Sequence, residues 1–270
     1  MINDLILKVG PDYYHYAPGA IDDISNLLAD RGVKNVLLIH GGISWEKASP
    51  FFENVLADEN INFNLEQYSG ECSYAEAERV SNLAKEKKVD FIIGVGGGKM
   101  SDLTLLVSAK TKVPFGLVPT LASNCAPWAA LSVMYKENGL FEGKSEHQNF
   151  NSEFLVTDPN LIITTPKRLF IAGLADTIVK WYESDLVTSQ EDIIISPMVQ
   201  LSRTAAKICR DQIYNNYQEA IEDLENERVT QVFYNLTEVI FGIAGLVGGV
   251  GGKYARNTAA HTVHDAISAY

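Results

Sequence analysis

No stretch constrains this chain more than Phe91-Ile92-Ile93-Gly94-Val95-Gly96-Gly97-Gly98-Lys99-Met100-Ser101-Asp102. It reads as a strand, a turn that only glycine can make, and a helix from about Ser101. Four glycines within five positions cost conformational entropy. A chain carries that cost where the backbone takes positive φ or touches a ligand closely. The following helix points its free N–H groups and positive dipole end back at the turn, which makes an anion site, most naturally for phosphate. The plain alternative is a tight glycine turn in an α/β sheet that holds nothing.

The stretch departs from both common phosphate motifs. G-x-G-x-x-G fits Gly94 and Gly96 but meets Lys99 where the third glycine belongs, and the P-loop pattern fails at Ile93 and Met100. A pyrophosphate held without Mg²⁺ is therefore favoured over a triphosphate being cleaved. Around this stretch, Leu5–Val9, Val36–Ile39, Ile61–Tyr68, Phe115–Val118, Ser132–Tyr135 and Phe154–Thr157 read as strands. They are separated by helical segments, one opening at Pro18-Gly19, one carrying Trp45 and one running from Tyr74 to Lys88. This alternation predicts an α/β domain with a doubly wound, Rossmann-like parallel sheet, which binds ligands at the carboxyl ends of its strands. From Thr165-Pro166, a cap followed by proline, the chain reads as helical. The expected domains are residues 1–162, α/β, and 163–270, all-α.

Composition excludes several classes of function. The 270 residues carry a net charge of −12, which argues against nucleic acid or an anionic membrane as partner. Cys72, Cys125 and Cys209 stand far apart, as neither a disulfide framework nor a zinc ribbon, and fit a reducing cytoplasm. Met1–Asp4 lacks the start of a signal peptide. Val239–Val250 is short and glycine-rich for a membrane span and reads as a buried, closely packed helix.

Three further residues could carry chemistry. Asp176 sits among small and apolar neighbours, but a surface ion pair with Lys180, four residues on, explains it equally. His261 and His264 share a helix face without forming the H-E-x-x-H of zinc proteases, and spacing alone leaves them as readily a core or surface pair.

Taken together, these segments resemble one family along nearly the whole chain, the metal-dependent, iron-containing type alcohol dehydrogenases, and within it the glycerol dehydrogenase group. The matching motifs are Gly94-Val95-Gly96-Gly97-Gly98-Lys99-x-x-Asp102, Val118-Pro119-Thr120-Leu121-Ala122-Ser123, Ala130-Leu131-Ser132-Val133-Met134-Tyr135, Ala172-Gly173-x-x-Asp176 and Ala259-Ala260-His261-x-x-His264. The resemblance implies the two-domain architecture shared with dehydroquinate synthase, with NAD or NADP and a divalent metal in the cleft. It places the pyrophosphate on Gly96, Gly97, Gly98 and Lys99, and assigns Asp102, Thr120, Ser123, Leu131 and Tyr135 to the cofactor. Asp176 and His261 become metal ligands, and His264 a catalytic proton relay near the nicotinamide. Carboxylate with imidazole suits Zn²⁺ or Fe²⁺. Lys180 stands where the broader branch has a histidine, which favours the zinc-using type. A small-molecule substrate and a homo-oligomer are also implied.

Three departures shape the expected activity. Cys125 replaces the aspartate with which glycerol dehydrogenases contact the polyol. The surrounding residues, with Lys180-Trp181-Tyr182-Glu183, look more like hydroxycarboxylate dehydrogenase, the branch that reduces 2-oxo acids. Gly41 occupies the place of the acid that binds the adenosine ribose in NAD-specific members, so NADPH is expected to be usable. The chain ends at Tyr270, ahead of the His-Gly segment carrying the family's last metal-ligand histidine, so the helical domain reads as incomplete and the expected metal set is one ligand short. Alternatives are a glycerol (polyol) dehydrogenase, a dehydroquinate synthase-like enzyme, whose substrate-loop pattern Ser123–Ser132 lacks, a glycerol-1-phosphate dehydrogenase, whose Ser-His-Asp run reads Ser123-Asn124-Cys125 here, and a metal-free nucleotide-binding protein. His15, His40 and His147 read as surface residues.

Overall fold

The computed structural model describes residues 5–190, 196–255 and 259–267, apart from the side chains at 259, 264, 265 and 267. Met1–Asp4 and Tyr270 lie outside the described residues. The strands are β1 (Tyr14–Tyr16), β2 (Asn35–His40), β3 (Asn62–Gln67), β4 (Phe91–Gly96), β5 (Phe115–Pro119), β6 (Leu131–Tyr135), β7 (Phe141–His147) and β8 (Phe154–Thr157). Helices α1 (Asp23–Asp30), α2 (Gly42–Ala48), α3 (Glu53–Leu56), α4 (Tyr74–Glu86) and α5 (Gly98–Thr111) alternate with the early strands. Then come α6 (Pro159–Ile162), α7 (Lys167–Thr188), α8 (Pro197–Glu225), α9 (Gln231–Glu238), α10 (Ala244–Gly251) and α11 (Ala259–Ile267).

Six strands form one parallel sheet in the order β1-β8-β5-β4-β2-β3, while β6 and β7 pair as a separate antiparallel ribbon. The apolar runs are continuous because both sheet faces are covered. Along β2, Val36 and Leu38 join the layer of Ile24, Leu28 and Phe52, whereas Leu37 and Ile39 join that of Val80, Leu103 and Val107. This is the period-two alternation of a strand applied to two apolar layers.

The chain leaves β2 in one direction, to β3, and returns to the other side of β2 with β4, so the winding reverses between β2 and β4. Doubly wound sheets bind ligands at the carboxyl ends beside such a reversal. Gly41 follows β2 there and Gly97-Gly98 follow β4. The Ser44 hydroxyl bridges the two, accepting from the Gly41 N–H at 3.1 Å and donating to the Val95 carbonyl at 3.4 Å.

Five expectations need correction. Leu5–Val9 forms no strand. It lies against α10, where the Lys8 N–H donates to the Gly249 carbonyl at 3.1 Å and the Val9 carbonyl accepts from Trp128 Nε1 at 2.7 Å, so its backbone is partly satisfied outside the sheet. Helix α5 starts at Gly98, not Ser101. Thr165 does not cap α7. Its hydroxyl donates to the Ile162 carbonyl at 2.6 Å and accepts the Ala122 N–H at 3.1 Å, which ties the loop after β5 to the helical part. His40 is buried, stacked on Trp45 at 4.9 Å between ring centroids. Finally, the apolar helical stretch runs from Gln231 to Tyr254, 24 residues with mean hydropathy 1.4 in its most apolar window, long and apolar enough by composition to cross a membrane. In this fold 56% of that window is buried inside the protein.

The helical part packs around Phe170, Leu174, Ile213, Phe233, Leu236 and Phe241, and Tyr16 of β1 and Ala122 of the loop after β5 belong to the same apolar cluster. That loop is thereby held from both sides.

Candidate active site

The glycine stretch is built for close approach rather than for unusual dihedrals. None of Gly94, Gly96, Gly97 and Gly98 takes positive φ, which corrects one of the two reasons expected for them. A Cβ on Gly94 would stand 2.2 Å from Thr104 Oγ1, one on Gly96 2.8 Å from Met100 Cβ, and one on Gly98 2.6 Å from Asn124 Nδ2. The turn thus lets α5 sit tight on β4. Gly97 is the N-cap of α5 in extended backbone, φ −88°, with no side chain capping the helix end. The first amides of α5 remain without an intrahelical acceptor, the condition for binding a phosphate oxygen.

Two of the residues assigned to the cofactor carry buried polar atoms that have no partner among the described residues, Asp102 Oδ1 and Thr120 Oγ1. Such atoms are costly unless a ligand or water meets them. Asp102 also braces the β6–β7 ribbon, since its Oδ2 accepts the Val133 N–H at 3.1 Å and its carbonyl accepts from Ser132 Oγ at 2.7 Å. Leu131 opens β6 and Tyr135 closes it, both half-buried, and Ser123 is half-buried in the loop after β5. Lys99 behaves differently from its assignment. Its ammonium is held by both oxygens of Glu71, at 2.7 and 2.6 Å, and lies 4.9 Å from the Tyr135 ring centroid. The backbone of the turn, more than this side chain, is free to take the pyrophosphate. These residues fit a dinucleotide: a cradle that a Cβ would fill, uncapped amides and two orphaned polar atoms.

Burial pushes the Asp102 carboxyl up to about 8, against the lowering effect of the Val133 hydrogen bond. Because the folded pKa lies above the ordinary carboxylate value, the folded protein holds one more proton than the unfolded chain between about pH 4 and pH 8. Stability is then full below that window and falls as pH rises through it, by up to about 1.4 kcal/mol per pH unit. Denaturant unfolding of the cofactor-free protein should show this slope, and Asp102→Asn should flatten it. Parallel pH profiles for the two proteins would refute the assignment.

The second half of the site rests on α7 and α11. Gly173 lets the loop after β5 lie directly on α7, because a Cβ there would be 2.4 Å from the Ala122 carbonyl oxygen. One turn further on, Asp176 Oδ1 accepts from His261 Nε2 at 3.1 Å and lies 3.6 Å from Lys180 Nζ. His261 Nδ1 donates to Glu183 Oε2 at 2.8 Å, and its backbone N–H to Glu183 Oε1 at 3.1 Å. Burial lowers the His261 pKa, but the two carboxylates on its ring outweigh that and push it up to about 9. Lys180 is buried as well, so its pair with Asp176 is no surface ion pair. Burial opposes the charge of Lys180, and Cys125, Asp176 and Glu183 together hold its pKa above the ordinary value. Cys125 is half-buried, and burial raises its thiol, leaving it neutral at pH 7. His264 lies on α11, but its side chain is outside the described residues.

The donor set around Asp176 does not by itself fit a divalent metal. A catalytic site of this kind takes three protein ligands. Among the described residues no group of three His, Cys, Asp or Glu is arranged to hold an ion. His261 holds a proton between two carboxylates, where a metal ligand must be neutral, and an ammonium stands beside Asp176. Two participants had no role of their own in the sequence reading, Glu71 and, although it closes the Lys180–Glu183 motif, Glu183. Glu183 lies seven residues after Asp176, two helical turns along the same face, which was a legible signal.

Residues 11–159 match the family model for iron-containing alcohol dehydrogenases. Hydroxycarboxylate dehydrogenase A of Escherichia coli (strain K12) is 31% identical over 273 residues, which cover 98% of this chain and 72% of that protein. Glycerol dehydrogenase of Thermotoga maritima is 28% identical, with 96% of this chain and 69% of the relative covered. The crystal structure of glycerol dehydrogenase from Schizosaccharomyces pombe superposes with a TM-score of 0.85 at 24% identity, covering 99% of this chain and 67% of that one, and so shares the fold.

Proposed function

The chain belongs to the iron-containing alcohol dehydrogenase family, and from that premise we propose that it is an NAD(P)-linked carbonyl reductase converting small 2-oxo acids to 2-hydroxy acids. The observation that carries this reading is a neutral, half-buried thiol at Cys125, with the buried Lys180 ammonium as its strongest electrostatic neighbour, at the position where a polyol-binding member is expected to carry a carboxylate. A carboxylate there would repel an anionic substrate, and a thiol does not.

When bound, the nicotinamide supplies or accepts the hydride. The protein's part is binding and placement. The amides at the start of α5 would hold the pyrophosphate, and Asp102 Oδ1 and Thr120 Oγ1 would meet polar groups of the dinucleotide. The loop from Leu121 to Trp128, held on α7 at Gly173, would line the reacting end of a bound dinucleotide, and His261 Nε2 holds a proton at the α7–α11 junction. Gly41, at the end of β2, leaves the 2′ position of the adenosine ribose without a repelling acid, which supports use of NADPH as well as NADH. The divalent metal general to the family has only Asp176 and His261 as candidate ligands among the described residues.

Assaying NAD(P)H oxidation with 2-oxo acids, small neutral ketones and, in reverse, glycerol tests the proposal. Oxo acids should be reduced with kcat/KM above that for glycerol oxidation, with NADH and NADPH both serving. Cys125→Asp should lower activity on oxo acids by about tenfold or more. Faster turnover of glycerol than of any oxo acid would replace this reading with that of a polyol dehydrogenase.

A further inference from the structure

Lys180 is the one residue of the site whose chemistry remains unused. It is 9% exposed and forms an ion pair with Asp176 Oδ1 at 3.6 Å, longer than a close hydrogen bond. Its ammonium offers three donors, and the Asp176 carboxylate engages it only at that long distance. A largely buried ammonium held by one long ion pair keeps donors that a substrate carboxylate can engage at closer range. The group sits one helical turn beyond Asp176, and burial keeps the thiol of Cys125, its electrostatic neighbour, neutral at pH 7. We propose that Lys180 Nζ receives the carboxylate of a 2-oxo acid substrate and so sets the preference for anionic over neutral carbonyl compounds. The proposal rests on the reading of the site as a 2-oxo acid reductase, and it adds the residue that selects the substrate. No bond is made to Lys180. It anchors one end of the substrate while the carbonyl end is left to the nicotinamide.

The test compares pyruvate with its neutral isostere methyl pyruvate, and uses oxamate as an unreactive 2-oxo acid analogue binding in the presence of NADH. Lys180→Met keeps the length and apolar stem, Lys180→Arg keeps the charge, and NADH binding with circular dichroism checks that each variant is folded. Lys180→Met should raise KM for pyruvate and Kd for oxamate by about thirtyfold or more, the scale of a charge-assisted hydrogen bond, and change KM for methyl pyruvate by less than about threefold. Lys180→Arg should keep part of the preference for the anion. Equal losses on pyruvate and methyl pyruvate, unchanged oxamate binding in a folded Lys180→Met, or no oxamate binding by the unmodified protein would each overturn the proposal. The reductase reading fails separately. If the unmodified protein reduces neither carbonyl compound yet binds oxamate through Lys180, the carboxylate site stands and the reaction assigned to it does not.

Discussion

Gly97→Asp should leave the thermal unfolding midpoint unchanged or slightly raised while lowering dinucleotide affinity by about a hundredfold or more. Gly97 caps α5 in the extended backbone that an N-cap needs, and its side-chain position meets Leu121 at 3.3 Å, a tight contact with a flexible chain. Aspartate is among the best N-caps, better than glycine by a few tenths of a kcal/mol. For an isolated helix the substitution would therefore be an improvement. The same carboxylate would occupy the α5 amides and set a negative charge against the incoming phosphates, which removes charge-assisted hydrogen bonds and adds repulsion. Titration of NADH fluorescence alongside thermal unfolding separates the two effects. Affinity within a few-fold of the unmodified protein would mean that the pyrophosphate binds elsewhere.

Gly173→Ala should destabilise the protein by about 1–3 kcal/mol and lower kcat/KM by about a hundredfold. Helix propensity argues the opposite, since alanine is favoured over glycine by about 1 kcal/mol inside a helix. The contact decides the sign. The new Cβ would lie 2.4 Å from the Ala122 carbonyl oxygen and 3.0 Å from Ser123 Cα, both backbone atoms that no rotamer change can clear. The loop carrying Thr120, Ser123 and Cys125 would have to lift from α7, and with it the register between the dinucleotide side of the cleft and Asp176. If Gly173→Ala raises stability and keeps activity, the loop does not rest on α7 as described.

The sheet was largely legible in the sequence because a strand covered on both faces leaves an unbroken apolar run, as at Val36–Ile39 and Phe91–Val95. Leu5–Val9 looks the same by composition, but its partners lie on α10 and at Trp128, which no local pattern announces. In the site, the pairing of Asp176 with Lys180 followed from helical spacing, whereas the burial of Lys180 depends on packing that the α7 sequence alone does not encode. The role of Thr165 was misread for a related reason. Thr165-Pro166 has the composition of a helix start, yet the hydroxyl found a better acceptor in the preceding turn and a donor 43 residues away. Glu71 was missed because an exposed-type residue after a loop glycine gives no sign that a lysine 28 residues downstream will turn to it.

Long-range contacts join the segment around residues 8–16 to that around 234–249. Lys8 reaches Gly249, Tyr16 shares a hydrogen bond with Thr237 at 2.6 Å, and Tyr234 donates to the Tyr16 carbonyl at 2.7 Å, across more than two hundred residues. A ribosome delivers the first of these groups long before the second. The sheet can grow from β2, β3 and β4 as they emerge, but the edge strand β1 gains its neighbour β8 late and its helical cover later still. Loop-closure entropy over such separations is met only once most of the chain has been made, and non-local parallel pairing of this kind folds slowly. Until β8 arrives, β5 presents an unpaired edge, a surface that invites association with other chains. The same long-range stitching that seats the cleft between sheet and helices thus leaves the nascent sheet with an open edge until the later strand and helices are made.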